Sequence, residues 1–274
     1  MSENKFEMKN YKEPLTMGIL NVTPDSFSDG GQFNSMETAL AHAEEMINAG
    51  ADIIDIGGES TRPGYTPVTV EDEIARVVPI IRAIKEQFDI PVSLDTYKSE
   101  TAKAGLEAGC DIINDIWCLK WSGNAIPMAD AVGNAGASVV ISHNRENATY
   151  NDLINDIKCD LEESIALAQK VGVQDSDIII DPGVGFAKDY EQNVAVLNNI
   201  ESFVDIGYPV LLGVSRKSVI RIAIERDEVS RLMSAESFEK LGGSKDLDEI
   251  THAINEDAIS RGVKIVRTHK VWTR

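Results

Sequence analysis

Positive charge and long apolar stretches are both scarce in this chain of 274 residues. Its 26 lysine and arginine residues face 45 aspartate and glutamate residues, which gives a net charge of -19. A strongly negative protein repels polyanions, so we expect neither nucleic acids nor anionic membranes as partners. No run of about 18 apolar residues occurs, and the sequence therefore predicts no membrane span. Any anionic small molecule would have to be held by local cations.

Cysteine is rare as well, with three residues in the whole chain, Cys110, Cys118 and Cys159. Their number is odd and their spacing is not that of metal ligands, which favours reduced thiols packed in the interior. Residues 1–14 carry charges but no apolar segment, so they are not expected to be a signal peptide. Both observations favour a cytoplasmic protein.

The chain contains a recurring segment in which a glycine or another turn residue precedes a short β-branched run. It occurs at residues 50–56, 109–116, 136–141 and 175–181. Repeated connections from a helix to a strand produce such a recurrence. Together with similar runs elsewhere, it predicts strands that start near residues 15, 52, 91, 111, 138, 177, 209 and 264. Eight short buried strands that alternate with helices predict an α/β fold, the parallel (β/α)8 TIM barrel.

Apolar residues at helical spacing predict the helices between these strands. The helical patterns lie at residues 74–84, 101–108, 126–135, 151–171 and 193–200, with a first one after residue 35. Asn34 or Ser35 is expected to cap that first helix. Pro79 is expected to kink the next helix or to end its first part.

Strand eight is followed only by residues 268–274, so the eighth helix of the barrel is expected to be absent. Such a helix would bury apolar side chains worth about 1.5–3 kcal/mol each. A second subunit or a folded-back segment of residues 1–14 could cover the gap, or nothing at all. We expect a single barrel domain over residues 15–274, preceded by an N-terminal extension of residues 1–14.

The run LLGVSRKS at residues 211–218 ends a predicted strand in two cations and a hydroxyl. Arg216, Lys217 and Ser218 would then lie at the carboxyl end of a parallel strand, where α/β folds bind their ligands. A phosphate or a carboxylate is the expected ligand. The alternative is that the two cations only cap the exit from the strand.

Polar residues also follow the other predicted strands, and in a barrel all these positions converge on one face. They are Asn21 with residues 23–31, residues 57–64, 95–98, 114–115, 143–145, 181–186 and 267–269. Acids and bases occupy separate places in this ring, which core packing does not explain. The ring therefore predicts a ligand site at the carboxyl ends of the strands.

These motifs resemble those of the dihydropteroate synthase family, the folate-pathway enzymes that sulfonamides inhibit. The matching stretches are NVTPDSFSDGG at residues 21–31, residues 57–64, 95–96 and 114–115, DPGVGF at residues 181–186 and GVSRKS at residues 213–218. The resemblance extends over residues 15–271, nearly the whole chain. Taken together the motifs are specific, whereas a pair such as residues 114–115 alone would be weak.

The resemblance implies a condensation of 6-hydroxymethyl-7,8-dihydropterin diphosphate with p-aminobenzoate, assisted by Mg²⁺. The products would be 7,8-dihydropteroate and pyrophosphate, formed by a dissociative substitution. The resemblance also implies a homodimer, since members of the family pair through their last helices.

The functional residues of the family carry over to matching positions of this sequence. Pterin recognition is implied for Asp95, Asn114, Asp181 and Lys217. Diphosphate binding is implied for Asn21, Arg267 and His269, with Asn21 also the metal ligand. The p-aminobenzoate site is implied to contain Phe27, Thr61, Pro63, Phe186 and Ser218. Catalytic roles are implied for Asp95, Lys217, Asp29 and Arg62, the last two on loops that close over the reactants.

Two other functions remain open from the sequence. Methyl transfer from methyltetrahydrofolate to a corrinoid would also use Asp95, Asn114 and a barrel. It needs neither the diphosphate cations nor the loop at residues 25–31. A paralogue that binds pterin or pyrophosphate without turnover would keep the same motifs. Pyrophosphate release that requires both substrates and magnesium separates the three functions.

Overall fold

The computed structural model describes residues 6–23, 31–59 and 67–273, and of residues 31–35 the backbone alone. Within these ranges eight parallel strands form one sheet in the order β6-β5-β4-β3-β2-β1-β8-β7. The strands are β1 (Leu15–Asn21), β2 (Ile53–Gly57), β3 (Val92–Asp95), β4 (Ile112–Asp115), β5 (Ser138–Ser142), β6 (Ile178–Asp181), β7 (Leu211–Leu212) and β8 (Ile265–Thr268). A parallel bridge between Ile180 and Val210 joins β6 to the residue before β7. The sheet thereby closes on itself, and the predicted TIM barrel is confirmed.

Both faces of the barrel strands are buried, because side chains fill the interior and helices cover the outside. One apolar cluster draws on seven of the strands and on no α-helix, and its strand residues are Leu15, Met17, Ile53, Ile112, Val140, Ile179, Leu211 and Ile265. Neighbouring strand residues such as Ile54 and Ile113 belong to a second cluster shared with the helices. Successive side chains of a strand point to opposite faces, so the continuous β-branched runs of the sequence serve both layers.

Helices follow most of the strands and pack on the outer face of the barrel. They are α1 (Gly31–Asn48), α2 (Val70–Gln87), α3 (Ser99–Glu107), α4 (Met128–Ala135), α5 (Leu153–Lys170), α6 (Tyr190–Asn198), α7 (Ile200–Val204), α8 (Ser218–Arg226), α9 (Ala235–Leu241) and α10 (Leu247–Ser260). None of these helices, which are those of the described ranges, is long and apolar enough to cross a membrane.

The cap predicted for the first helix was wrong. Of the two alternatives for Pro79, the end of the helix was wrong and the kink stays a prediction. The helix α1 begins at Gly31, so Asn34 and Ser35 lie inside it and do not cap it. Pro79 does not end α2, which continues from Val70 to Gln87. The buried side chains of α2 lie on both sides of the proline, so packing on the barrel outweighs the one backbone hydrogen bond that a proline removes.

The N-terminal segment closes the amino end of the barrel. Phe6 and Met8 are buried in the interior cluster together with Met17. The carbonyl of Phe6 accepts a hydrogen bond from Ser138 Oγ at 3.4 Å. The described part of this segment therefore packs at the amino end of the barrel, and what covers the position of an eighth helix stays a prediction.

The outer face of β1 is covered by other residues. A Cβ atom at Gly18 would lie 2.7 Å from Met46 Sδ of α1 and 3.5 Å from Val271 Cγ2. Residues 269–273, which follow β8, form no helix. Met46 and Val271 therefore pack directly against the backbone of β1 at this glycine.

The three cysteines are free thiols, but their surroundings differ. Cys110 and Cys118 are buried, whereas Cys159 on α5 is exposed. The expectation of interior packing holds for the first two and was wrong for Cys159, which lies on the outer face of its helix.

Candidate active site

Residues at the carboxyl ends of the first four strands form one row across the sheet. The backbone register pairs Asn21 with Gly57, Gly57 with Asp95, and Asp95 with Asn114. A Cβ atom at Gly57 would lie 3.5 Å from Asn21 Oδ1 and 3.8 Å from Asp95 Cβ. The absence of a side chain at Gly57 therefore leaves the groups of Asn21 and Asp95 on two sides of one open position.

Arg267 in β8 contacts two buried carboxylates at once. Its Nε donates to Asp55 Oδ2 at 2.6 Å, and its Nη2 donates to Asp95 Oδ2 at 2.6 Å. Asn114 Nδ2 lies 3.4 Å from the same oxygen of Asp55. The Oδ1 atoms of Asp55 and Asp95 are buried, and no described residue donates a hydrogen bond to them. A buried oxygen without a donor is unfavourable, so these two atoms mark positions where a ligand could donate.

The protonation of this cluster follows from burial and charge. Burial raises the pKa of Asp95, Arg267 opposes the shift, and Asp55 adds to it. Burial disfavours the charged form of Arg267, but Asp55 and Asp95 offset this and its pKa is raised. The guanidinium is therefore charged and is shared by two acids, which favours a ligand that brings N–H donors or positive charge.

The ends of β6 and β7 contribute a second acid and a second base. Asp181 Oδ1 accepts the backbone N–H of Gly183 at 2.7 Å. Lys217 Nζ donates to the carbonyl of Val184 and lies 4.6 Å from the centre of the Phe186 ring. Burial lowers the pKa of Lys217 to about 8, while Asp181 favours its charged form. Burial likewise raises the pKa of Asp181, and Lys217 is the main opposing charge.

The two halves of the site adjoin each other at Gly213. A Cβ atom there would lie 3.7 Å from Arg267 Cβ and 3.9 Å from Lys217 Nζ. The charges of Arg267 and Asp95 both act on Lys217. Five residues predicted from the sequence are thus brought together at the carboxyl end of the barrel: Asp95, Asn114, Asp181, Lys217 and Arg267.

Other predicted residues lie close to the ends of β7 and β8. His269 Nδ1 is 2.9 Å from Ser215 Oγ, which also accepts the backbone N–H of His269 at 3.1 Å. Ser218 is exposed and is the first residue of α8. Its position leaves the unpaired backbone N–H groups of a helix start beside Lys217.

Of the two adjacent cations in the motif, Lys217 lies among the predicted site residues, whereas Arg216 forms an ion pair outside them. Its backbone has a φ of 58°, in the left-handed region. Its guanidinium donates to the two carboxylate oxygens of Asp248 at 3.1 and 3.2 Å. The left-handed conformation sends neighbouring side chains in different directions, so Lys217 enters the site and Arg216 pairs with α10.

Five predicted residues, Phe27, Asp29, Thr61, Arg62 and Pro63, lie outside the described residues. Glu59 and Val68, on either side of residues 60–66, are held by a buried ion cluster. Lys98 Nζ donates to Glu59 Oε2 at 2.6 Å, to Glu73 Oε2 at 2.8 Å and to the carbonyl of Val68 at 2.8 Å. Glu59 Oε2 also accepts the N–H of Val68 at 2.8 Å. The ends of this connection are thereby fixed to Lys98, which directly precedes α3, and through Lys98 to Glu73 of α2.

Asp55 is a central residue of the site that the sequence interpretation did not single out. It is fully buried and lies within β2. The sequence does contain an indication, because a single aspartate interrupts the apolar run at residues 53–56. A charged residue in a buried strand requires a partner, but the partner, Arg267, is 212 positions away in the chain.

No group of three or more histidine, cysteine or acidic side chains suited to a metal ion occurs in the ranges that the structure describes. The oxygen that could contribute to a hard cation is Asn21 Oδ1, at the end of β1 beside Gly57. An ion held there would take its remaining ligands from substrate and water.

Comparison with known proteins gives consistent matches over nearly the whole chain. Residues 17–269 match the family described as pterin binding enzyme. Dihydropteroate synthase of Clostridium beijerinckii is 49% identical over 249 residues, which cover 91% of each chain. The solved structure of dihydropteroate synthase from Clostridium difficile in the presence of pteroic acid has a TM-score of 0.82 and 43% identity, covering 95% of this chain and 92% of that one. The enzyme from Xanthomonas albilineans with 4-aminobenzoic acid has a TM-score of 0.81 and 37% identity, covering 95% and 89%.

The fold is a TIM barrel with acids and cations at its carboxyl end. Together with the family match over residues 17–269, it defines the general class of protein. The chain belongs to the family of pterin-binding enzymes. Within that family its relatives are dihydropteroate synthases, and it is accordingly a transferase of folate biosynthesis.

The ion cluster around Lys98 yields a prediction about stability. Replacement Lys98→Met leaves Glu59 and Glu73 buried without their cation, and we expect the free energy of unfolding to fall by about 3–5 kcal/mol. Urea unfolding followed by circular dichroism measures the change.

The control is Lys240→Met, which removes an exposed ion pair with Glu236 at 2.7 Å. We expect this exposed pair to contribute little to the free energy of unfolding, because water screens it. Equal and small effects of the two substitutions would contradict a buried, charge-compensated cluster.

Proposed function

We propose that this transferase condenses 6-hydroxymethyl-7,8-dihydropterin diphosphate with p-aminobenzoate to give 7,8-dihydropteroate and pyrophosphate. The observation that carries the proposal is the meeting of buried acids and cations at one end of the barrel. The acids are offered by β3 and β6, and the cations follow β7 or lie in β8. The relatives solved in the presence of pteroic acid and with 4-aminobenzoic acid support the same pair of reactants.

The pterin ring is assigned to Asp95, Asn114, Asp181 and Lys217. A pterin presents N–H donors on one edge and ring acceptors on another, so it requires carboxylates, an amide and a donor. Asp95 Oδ1 is buried without a donor from the described residues, so a ring N–H would satisfy it. The Lys217 ammonium, beside Asp181, can donate to a ring acceptor. A bicyclic ring without the matching donors and acceptors would leave these buried groups unpaired. The site is therefore expected to discriminate against such rings.

The diphosphate is assigned to Arg267 and His269, the cationic and N–H donor groups at the end of β8. An arginine fork matches phosphate oxygens in geometry and charge. We assign Mg²⁺ to Asn21, because this ion prefers oxygen ligands and commonly uses one or two protein oxygens together with substrate phosphates. The open position at Gly57 beside Asn21 Oδ1, 3.5 Å from a Cβ built there, supports the assignment. When bound, the ion would neutralise charge on the diphosphate.

Departure of pyrophosphate before attack leaves positive charge on the methylene carbon of the pterin, delocalised into the ring. The Asp95 carboxylate is held in place by Arg267 and stabilises this charge more in the transition state than in the ground state. Asp29 and Arg62 are assigned to loops that close over the reactants and exclude water. The weakly basic amine of p-aminobenzoate then attacks without strong activation.

The p-aminobenzoate ring is assigned to apolar walls that include Phe27, Pro63 and Phe186, with Thr61 beside them. Its carboxylate is assigned to Ser218 and the backbone N–H groups at the start of α8, because helix N-termini bind anions. We further propose a homodimer in the cytoplasm, with residues 15–274 as the catalytic barrel domain and residues 1–14 as an extension. Sedimentation velocity measures the oligomeric state.

Pyrophosphate release by the wild-type chain tests the proposed function. We expect release that requires the dihydropterin diphosphate, p-aminobenzoate and Mg²⁺ together. Sustained, multiple-turnover release of pyrophosphate without p-aminobenzoate would contradict the condensation. Binding of both substrates without any release would indicate a non-catalytic paralogue, and methyl transfer from methyltetrahydrofolate would indicate the corrinoid-dependent class.

Replacement Asp95→Asn removes the charge that stabilises the pterin cation. We expect kcat to fall by about 100- to 1000-fold, a range typical of one lost electrostatic contact to a transition state. Steady-state kinetics at saturating substrates measures the change, with the exposed Asp227→Asn as the control. Unchanged turnover in Asp95→Asn would refute the role of this carboxylate.

The adjacent cations of the SRKS motif give a matched pair of variants. Lys217→Ala should raise KM for the dihydropterin diphosphate by roughly 10- to 100-fold, the loss expected for a charged hydrogen bond. Arg216→Ala should change this KM by less than about threefold, because Arg216 pairs with Asp248 at the surface. Similar effects of the two substitutions would contradict the assignment of Lys217 to the pterin site.

A further inference from the structure

Lys188 lies behind the β6 loop, and its head group is enclosed. Its Nζ is 3.0 Å from the carbonyl oxygen of Gly183, 3.0 Å from that of Phe186 and 3.0 Å from His143 Nδ1. Burial lowers the pKa of Lys188 to about 7, and Asp181 opposes this shift. Three acceptors around one nitrogen use all three N–H groups of an ammonium, so the arrangement fits the charged form.

The charge of Lys188 is balanced by the Asp160 carboxylate, and a neutral His143 lies between the two groups. His143 is fully buried, and burial together with Lys188 lowers its pKa to about 3. Because Nδ1 accepts from Lys188, Nε2 carries the proton and donates to Asp160 Oδ2 at 2.9 Å. Arg145 Nε donates to the same oxygen at 2.6 Å. Lys188 is therefore fixed in place by a continuous line of hydrogen bonds from α5.

The turn that Lys188 contacts is conformationally demanding. Gly183, Gly185 and Ala187 have φ angles of 71°, 88° and 45°, all in the left-handed region. A Cβ atom at Gly183 would lie 1.9 Å from the carbonyl oxygen of His143, so only glycine fits. Ala187 adopts a backbone conformation that is unfavourable for a residue with a side chain. Such conformations occur where contacts with the surrounding structure stabilise them. The Tyr150 hydroxyl donates to the carbonyl of Ala187 at 2.8 Å.

The same turn carries two elements of the substrate site. The carbonyl of Val184 accepts from Lys217, and the Phe186 ring lies 4.6 Å from Lys217 Nζ. Lys188 contacts the backbone of Phe186 directly, at its carbonyl oxygen. The positions of Phe186 and of Lys217 therefore both depend on a turn that Lys188 holds.

We propose that Lys188 is a positioning residue of the site, which acts on p-aminobenzoate through Phe186 without touching either substrate. The proposal rests on the assignment of Phe186 to the p-aminobenzoate site. Lys188 fixes the backbone of residues 183–187, and this backbone sets the plane and depth of the aromatic wall. Displacement of a binding wall by a fraction of an ångström weakens substrate capture without removing any substrate contact.

The test is the double-mutant cycle of Lys188→Met and Phe186→Ala in the full chain. Lys188→Met keeps the length of the side chain and removes its donors. We expect it to raise KM for p-aminobenzoate by roughly tenfold, with a smaller effect on kcat. In the Phe186→Ala background we expect Lys188→Met to add less than about a further twofold, because residues that act through one another are not additive.

A purely structural role would give a different result. In one such outcome, the melting temperature falls while KM for p-aminobenzoate stays within about twofold of wild type. In the other, the effects of the two substitutions on KM multiply in the double mutant. Either outcome overturns the proposal. Lys240→Met on the exposed face of α9 is the control and should change neither quantity. Pyrophosphate release by the wild-type chain is measured in the same assay. Absence of release in wild type would refute the proposed function, whereas the positioning role is tested by the variants alone.

A milder variant decides the matter if Lys188→Met does not fold. Asp160→Asn removes the charge behind His143 and leaves Lys188 itself unchanged. We expect a rise of about threefold in KM for p-aminobenzoate that disappears in the Phe186→Ala background. An unchanged KM in folded Asp160→Asn would overturn the proposal.

Discussion

The rest of the site depends on one interaction, in which two buried carboxylates share the guanidinium of an arginine in β8. Arg267 reaches Asp55 of β2 and Asp95 of β3, so a residue near the end of the chain fixes groups of the first hundred residues. Removing one partner of such a cluster leaves uncompensated charge in a dry interior, which is strongly unfavourable. The arrangement also leaves one oxygen of each acid without a donor from the described residues. A cluster that is stable but incompletely satisfied is suited to a polar ligand.

Two buried lysines of this acidic protein each have specific acceptors beside the site. Lys217 and Lys188 contact the same turn, one through Val184 and the other through Gly183 and Phe186. Both ammonium groups have a lowered pKa because burial disfavours their charge. The left-handed residues of the turn are held from two sides, so a strained backbone becomes a rigid wall of the site. Scarce positive charge is thus used for positioning as well as for binding anions.

The sequence predicted the barrel well because its strands repeat a local pattern. Short β-branched runs after glycine or turn residues are read from neighbouring positions, and the strand starts agree with the structure to within about two residues. Predictions that needed contacts distant in the chain fared worse. The packing of Phe6 and Met8 at the amino end of the barrel was not predicted, nor was the ion pair of Arg216 with Asp248. Asp55 was overlooked because its partner lies in the last strand.

The sequence by itself determined the fold class, the family and the set of polar residues at the strand ends. These follow from periodicity and from motifs, which are local properties of the chain. Only the tertiary structure decided which acid each cation contacts, which of two adjacent cations enters the site, and that Lys188 and His143 support it from behind. The physical reason is that backbone conformation at single residues, such as the left-handed Arg216, sets side-chain direction, and barrel closure sets which strands are neighbours.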